Sequence, residues 1–145
     1  MKIAILGLGK MGEALSRGIR ASAEGKSWKI EATTRSKESA ARSSRSLRIA
    51  VHTDNRKAVR GADVVLLCVK PHQAETVLSE IADSVSKRTL VVSVVASVTT
   101  DRMEEWLGHG CAVIRSMPNT PALIGEGMTV LSAGNSSSSA QLRTA

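Results

Sequence analysis

The chain has no phenylalanine and no tyrosine, and its only large aromatic side chains are Trp28 and Trp106. A core without rings has to be close-packed from Ala, Val, Leu and Ile, which suits a parallel sheet buried on both faces. With no aromatic side chain interleaved in the basic segment at residues 35–60 to stack on bases and no binding motif present, a nucleic-acid surface is disfavoured. There are two cysteines, Cys68 and Cys111, far apart and each inside an apolar run. That excludes a disulfide framework, a CxxC redox pair and a zinc pattern, and predicts reduced, buried thiols in a cytoplasmic protein. No run reaches the ~20 apolar residues of a membrane span. Gly7 and Gly9 interrupt the opening segment, so no signal peptide is read there. His52, His72 and His109 are scattered, and no metal set or Ser/His/Asp constellation accompanies them.

Acidic residues are also scarce, 13 against 20 Lys and Arg, for a net charge of +7 in 145 residues. That length is enough for one domain with a real core. The imbalance is local. Arg35, Lys37, Arg42, Arg45, Arg48, Arg56, Lys57 and Arg60 face only Glu38 and Asp54 within residues 35–60. Such a segment is either a solvated basic helix face or the rim of an anion site.

The first eighteen residues organise what is present. Lys2-Ile3-Ala4-Ile5-Leu6 reads as a buried strand, Gly7-Leu8-Gly9-Lys10-Met11-Gly12 follows at once, and Glu13–Ile19 reads as a helix. Strand, GxGxxG turn and helix make the dinucleotide-binding fingerprint. Gly7 permits the tight turn, Gly9 lets backbone approach a pyrophosphate, and Gly12 lets helix and strand pack closely. The unpaired N–H groups at the helix start then face the phosphates.

Further strands are expected at Trp28–Thr33, Arg48–Val51, Val64–Val69, Leu90–Val95, Cys111–Arg115 and Met128–Leu131. Helices are expected at Lys37–Leu47, from an Asp54-Asn55 cap to Arg60, from Pro71 to about Ser84, and from Thr99-Thr100-Asp101 to near Gly108. This alternation predicts a Rossmann-type, doubly wound α/β fold, a mainly parallel sheet with helices on both faces. In such sheets ligands lie beyond the carboxyl ends of the strands. Here those ends are Gly7–Gly12, Thr34–Ser36, Val69–Pro71, Ala96–Ser97 and Met117–Pro121, so the unusual residues share one rim.

The residues after the second strand choose the cofactor. NAD-binding units place an acid there for the ribose 2′-OH. This chain has Thr34-Arg35-Ser36, a guanidinium between two hydroxyls, which suits a 2′-phosphate. Glu31 falls mid-strand, too early to reach a ribose. NADP(H) is therefore expected ahead of NAD(H).

Gly7-Leu8-Gly9-Lys10-Met11-Gly12, Val69-Lys70-Pro71 and Arg115-Ser116-Met117-Pro118-Asn119-Thr120-Pro121 together resemble the N-terminal domain of the pyrroline-5-carboxylate reductase family. The resemblance covers essentially the whole chain. It implies NADPH-dependent, or NADH-dependent, reduction of 1-pyrroline-5-carboxylate to L-proline, the last step of proline biosynthesis. It implies that Asn55 lies near the adenosine ribose, that Val69, Lys70 and Pro71 line the nicotinamide with Ala96 opposite, and that Met117, Asn119 and Thr120 approach the substrate. It also implies a helical second domain that forms the homo-oligomer and completes the substrate site, so no catalytic residue is expected within residues 1–145. The family has Ala-Gly where this chain has Ala96-Ser97.

Residues 1–134 are therefore expected to form the dinucleotide-binding domain. Residues 135–145, serines before an Ala/Gln/Leu/Arg run, are expected to be a linker and helix start toward an absent domain. Other readings are a related cofactor domain, of the β-hydroxyacid dehydrogenase or deazaflavin:NADP reductase kind, and a non-catalytic nucleotide-binding fragment. Neither a nucleic-acid partner, a membrane nor a metal is expected.

Overall fold

The structure is a computed structural model that describes residues 1–108, 110–124 and 126–145; His109 lies outside the described residues. The strands are β1 (Lys2–Leu6), β2 (Lys29–Thr33), β3 (Ala50–His52), β4 (Val64–Leu67), β5 (Leu90–Ser93), β6 (Ala112–Pro118) and β7 (Thr129–Ala133). They form one sheet in the order β3-β2-β1-β4-β5-β6-β7. The first six are parallel, and β7 adds to β6 antiparallel. The helices are α1 (Lys10–Ala21), α2 (Lys37–Leu47), α3 (Asn55–Val59), α4 (Ala74–Ile81), α5 (Thr100–Leu107) and α6 (Ser139–Thr144). The doubly wound, mainly parallel sheet expected from the sequence is present.

Strand pleating divides the core in two. Ala4, Leu6, Val65, Leu67, Val91 and Val113 face α3, α4 and α5, meeting Val59, Leu78, Ile81, Met103 and Leu107. Ile3, Ile5, Ile30, Val64, Leu66, Val92 and Ile114 face the other way, toward Leu47 of α2 and Ile19 of α1. Branched aliphatic side chains fill both layers. Each fully buried one contributes about 1.5–3 kcal/mol relative to exposure.

Several boundaries differ from expectation for local reasons. Trp28 ends a 3₁₀ turn at Gly25–Ser27, so β2 begins one residue later. Arg48 is the left-handed C-cap of α2 (φ 53°), so the third strand starts at Ala50 instead of Arg48. β4 and β5 stop at Leu67 and Ser93, two residues short of the apolar runs that contain them. Pro71 opens a 3₁₀ turn (Pro71–Gln73) ahead of α4. β6 runs on to Pro118 because β7 pairs with Met117 and Pro118. Pro118 is the last residue of its strand. After β7, the Gly134 N–H donates to the Val113 carbonyl, the Asn135 amide to Asp101, the Ser136 N–H to Glu104 and the Ser137 hydroxyl to Val113. The serine stretch is thus tied to β6 and α5 before α6 begins at the Ser138 cap.

Glu31 stands mid-strand in β2, as expected, and is 7% exposed. Lys29 Nζ lies 2.9 Å, Lys2 Nζ 3.4 Å and His52 Nε2 3.2 Å from its carboxylate. Burial acts to raise its pKa, but the Lys29 hydrogen bond and the Lys2 and Lys29 charges outweigh burial and hold it below the ordinary 4.5. A lowered folded-state pKa stabilises the fold above pH 4.5, and the contribution is lost as pH falls through the folded value. Glu31→Gln is therefore expected to cost about 1–2 kcal/mol at neutral pH. The gap from wild type should close below pH 4.5, as measured by urea unfolding across pH. A gap that persisted at low pH would contradict the charge-based account.

Candidate cofactor-binding site

Because β1, β2, β4, β5 and β6 are parallel, their carboxyl ends share one rim. The winding reverses between β1 and β4. β2 and β3 lie to one side, β4 to β7 to the other, and the two helix layers divide accordingly. That is the switch point at which doubly wound sheets take ligands.

The glycine turn sits at this point. Gly7 has φ 94°, and a Cβ there would lie 2.9 Å from the Cys68 carbonyl oxygen and 3.0 Å from Val69 Cγ1. A Cβ on Gly12 would run into the Gly7 carbonyl oxygen. Those two glycines let α1 start directly against the ends of β1 and β4. Gly9 differs: it is the N-cap of α1 with φ −88°, and a Cβ there would meet nothing within 4 Å. The space above Gly9 is open.

Four of the other helices are closed by side-chain caps. Ser36 caps α2, Asp54 caps α3, Thr99 caps α5 and Ser138 caps α6. α1 has no side-chain cap. The N–H groups of Lys10, Met11 and Gly12 belong to its first turn, where no intrahelical acceptor is available. They leave three donors and a positive dipole end at the rim, the features that hold a pyrophosphate. Leu8 lies between the two turn glycines, its N–H bonded to the Thr33 carbonyl at 3.1 Å, so the turn is clamped to the end of β2.

The Thr34–Ser36 segment lies beside this turn. Arg35 is exposed, and its guanidinium has no partner among the described residues. The two hydroxyls are engaged within the chain: Thr34 donates to the Ser36 carbonyl at 3.3 Å, and Ser36 accepts from the Ser39 N–H at 3.1 Å and donates to the Ser39 hydroxyl. Arg35 is thus the freely available anion-binding group of the three. Asn55 starts α3 and gives its amide N–H to Glu80 at 2.8 Å. The family resemblance gave no sign of that partner, and only a neighbouring acid in space could have shown it.

On the far side, Val69 packs on the core beside Gly7, Lys70 is exposed, and Pro71 begins the following turn. Cys68 lies below Gly12, and desolvation pushes its thiol up to about 12; Cys111 is buried and its pKa is raised as well. Both stay protonated thiols. Ala96 and Ser97 are exposed at the end of β5. Met117 is exposed near the end of β6. Asn119 closes its own loop: its Oδ1 accepts from the Met128 N–H at 2.9 Å and its N–H donates to the Met128 carbonyl. Thr120 opens a 3₁₀ turn, Thr120–Ile124, that packs against α1. Among the described residues no group of His, Cys, Asp and Glu could hold a metal, and no helix is long and apolar enough to cross a membrane.

A family model described as NADP oxidoreductase, coenzyme F420-dependent, matches residues 2–97. The pyrroline-5-carboxylate reductase of Corynebacterium melassecola is 42% identical over 135 residues, covering 91% of this chain and 50% of that protein. Among solved structures, a pyrroline-5-carboxylate reductase from Coxiella burnetii has TM-score 0.88 at 34% identity, covering 98% of this chain and 53% of the other. Plasmodium falciparum pyrroline carboxylate reductase with NADP bound has TM-score 0.81 at 26% identity, covering 99% and 52%. The chain spans about half the length of the curated relatives it matches. With a family match over about two thirds of its residues, the chain belongs to the NADP oxidoreductases described as coenzyme F420-dependent, in the company of the pyrroline-5-carboxylate reductases.

Proposed function

We propose that this chain binds NADP(H) across the rim and supplies the cofactor half of a reductase that converts 1-pyrroline-5-carboxylate to L-proline. The observation that carries the reading is the uncapped amino end of α1, open above Gly9, with the unpartnered Arg35 beside it. The backbone N–H groups of Lys10, Met11 and Gly12 would hold the pyrophosphate, with Gly7 and Leu8 shaping the turn. Arg35 would take the adenosine 2′-phosphate, with Thr34 and Ser36 fixing the loop around it. Asn55 would border the adenosine ribose. Val69, Lys70, Pro71 and Ala96 would line the nicotinamide, and Lys70 would place a positive charge near it. Met117, Asn119 and Thr120 would face the substrate. NADPH, when bound, supplies the hydride; the chain binds it, orients it and sets the local charge. A protonated cyclic imine accepts hydride readily, so this half needs no acid–base residue of its own.

The relatives' additional length supports two further parts of the reading. We infer that residues 1–134 are the cofactor domain and that residues 135–145 lead into the remainder, which would complete the substrate site and form a homo-oligomer. Met117, Ile124, Met128 and Val130 are exposed large apolar side chains next to the substrate side of the rim, and Ile124 is 79% exposed. They offer a surface for that remainder to cover. The free cysteines support a cytoplasmic setting.

Calorimetric titration tests the cofactor assignment. The chain should bind NADPH more tightly than NADH, and equal, negligible binding of both by folded protein would refute it. Arg35→Ala should weaken NADPH about ten- to a hundredfold, the worth of a charge-assisted contact, and leave NADH within about twofold.

The turn glycines should separate folding from binding. Gly9→Ala should unfold within a few degrees of wild type yet lose most NADPH affinity, because its methyl group enters open ligand space. Gly12→Ala should lower both, because its methyl group enters the Gly7 carbonyl. Turnover of 1-pyrroline-5-carboxylate by residues 1–145 alone should be negligible in an NADPH absorbance assay.

A further inference from the structure

We propose that Ser97 is a cofactor-contacting residue whose hydroxyl hydrogen-bonds the carboxamide of the nicotinamide, an assignment that rests on the NADP(H) reading above. Among the described residues, two non-glycine residues have positive φ, Arg48 at 53° and Ser97 at 62°. Arg48 has a reason within the fold. It ends α2 as its C-cap, and its carbonyl accepts from Arg20. Ser97 sits in the turn at 96–97, where its side chain has no role within the fold. It is exposed, and its side chain makes no hydrogen bond among the described residues. A turn that needs a left-handed residue ordinarily uses glycine, because any Cβ is unfavourable there. A serine held in that conformation on a ligand-facing rim indicates that the side chain acts on something outside the chain.

The surroundings fix where that hydroxyl is presented. Val94 donates its N–H to the Leu67 carbonyl at 3.1 Å, and the Val95 N–H donates to the Ser93 hydroxyl at 3.2 Å. Thr99 then caps α5 through the Arg102 N–H. The turn at 96–97 is therefore held at both ends, and the nearby Ser93 and Thr99 hydroxyls are both occupied by backbone. Ser97 alone of these three offers a free hydroxyl. It follows β5, which is hydrogen-bonded to β4, so it lies one strand away from Val69–Pro71 on the nicotinamide side of the switch point. The available chemistry matches: a primary carboxamide carries a donor and an acceptor, and a serine hydroxyl is both as well. The hydroxyls of Thr34 and Ser36 lie on the adenosine side of the rim and are already paired.

The test uses the full chain as wild type, Ser97→Ala and Ser97→Gly. Each is titrated with NADPH and with adenosine 2′,5′-bisphosphate, which lacks the nicotinamide half, and thermal unfolding is recorded alongside. The expected result is a five- to tenfold loss of NADPH affinity in both variants, the effect of one hydrogen bond, with bisphosphate affinity within twofold of wild type. Ser97→Ala should unfold within about 2 °C of wild type. Ser97→Gly should unfold higher, because relief of the turn raises stability while binding falls. Unchanged NADPH affinity in Ser97→Ala, or an equal loss for both ligands, would overturn the assignment while leaving the cofactor reading intact. Failure of wild type to bind either nucleotide would overturn both.

Discussion

The structure depends on one close approach, that of Gly12 to the carbonyl oxygen of Gly7. Because neither residue carries a side chain, α1 begins directly above the ends of β1 and β4 with no intervening loop. That contact, with Gly9 at the N-cap, settles three matters together. It aims the start of the helix at the strand ends, it leaves the first-turn N–H groups without a side-chain acceptor, and it brings Val69 beside the turn. The remaining architecture holds this geometry in place. Leu8 is tied to β2, aliphatic layers press on both faces of the sheet, and the 3₁₀ turn after β6 packs back against α1.

Charge is organised around the same arrangement. The basic segment at residues 35–60 does not form one continuous anion-binding face. Arg42 pairs with Glu38, the Arg45 guanidinium donates to the Ala41 carbonyl, and the Arg56 guanidinium donates to the Glu80 carbonyl. Three of the eight cations are thus engaged with helices α2 and α4, and Arg35 is uncommitted within the Thr34–Ser36 segment at the rim. On the face that meets α3, the cations gather around Glu31 instead, so the one acid that might have mimicked a ribose-binding carboxylate is consumed inside the sheet. The proposed preference for a 2′-phosphate thus rests on two residues, Arg35 unpartnered and Glu31 taken.

Much of this was legible in the residues. Uninterrupted apolar runs mark buried parallel strands, and Asp54, Thr99 and the serines before Gln141 mark helix starts, because those signals are local. The glycine fingerprint announced the switch point because its context, strand before and helix after, is local as well. What escaped depends on partners distant in sequence. The extension of β6 to Pro118 needs β7, the Asn55 amide needs Glu80, and the Asn119 side chain needs the Met128 backbone. Arg48 also escaped, because a left-handed C-cap ordinarily announces itself with glycine or asparagine. Ser97 was visible only as a departure from the family's Ala-Gly; its backbone conformation and idle hydroxyl required coordinates.

The sheet order bears on how the chain assembles. β1 comes first in sequence but lies in the interior of the sheet, and its two neighbours, β2 and β4, come from residues 29–33 and 64–67. During synthesis β1 would emerge with neither flank available, and it could not be sandwiched until residues 64–67 had followed. Parallel pairing over such separations slows folding, because loop-closure entropy is spent before the contacts form. β1 is therefore a keystone set early and locked late, and the bend that follows it takes its final shape only once β4 is in place.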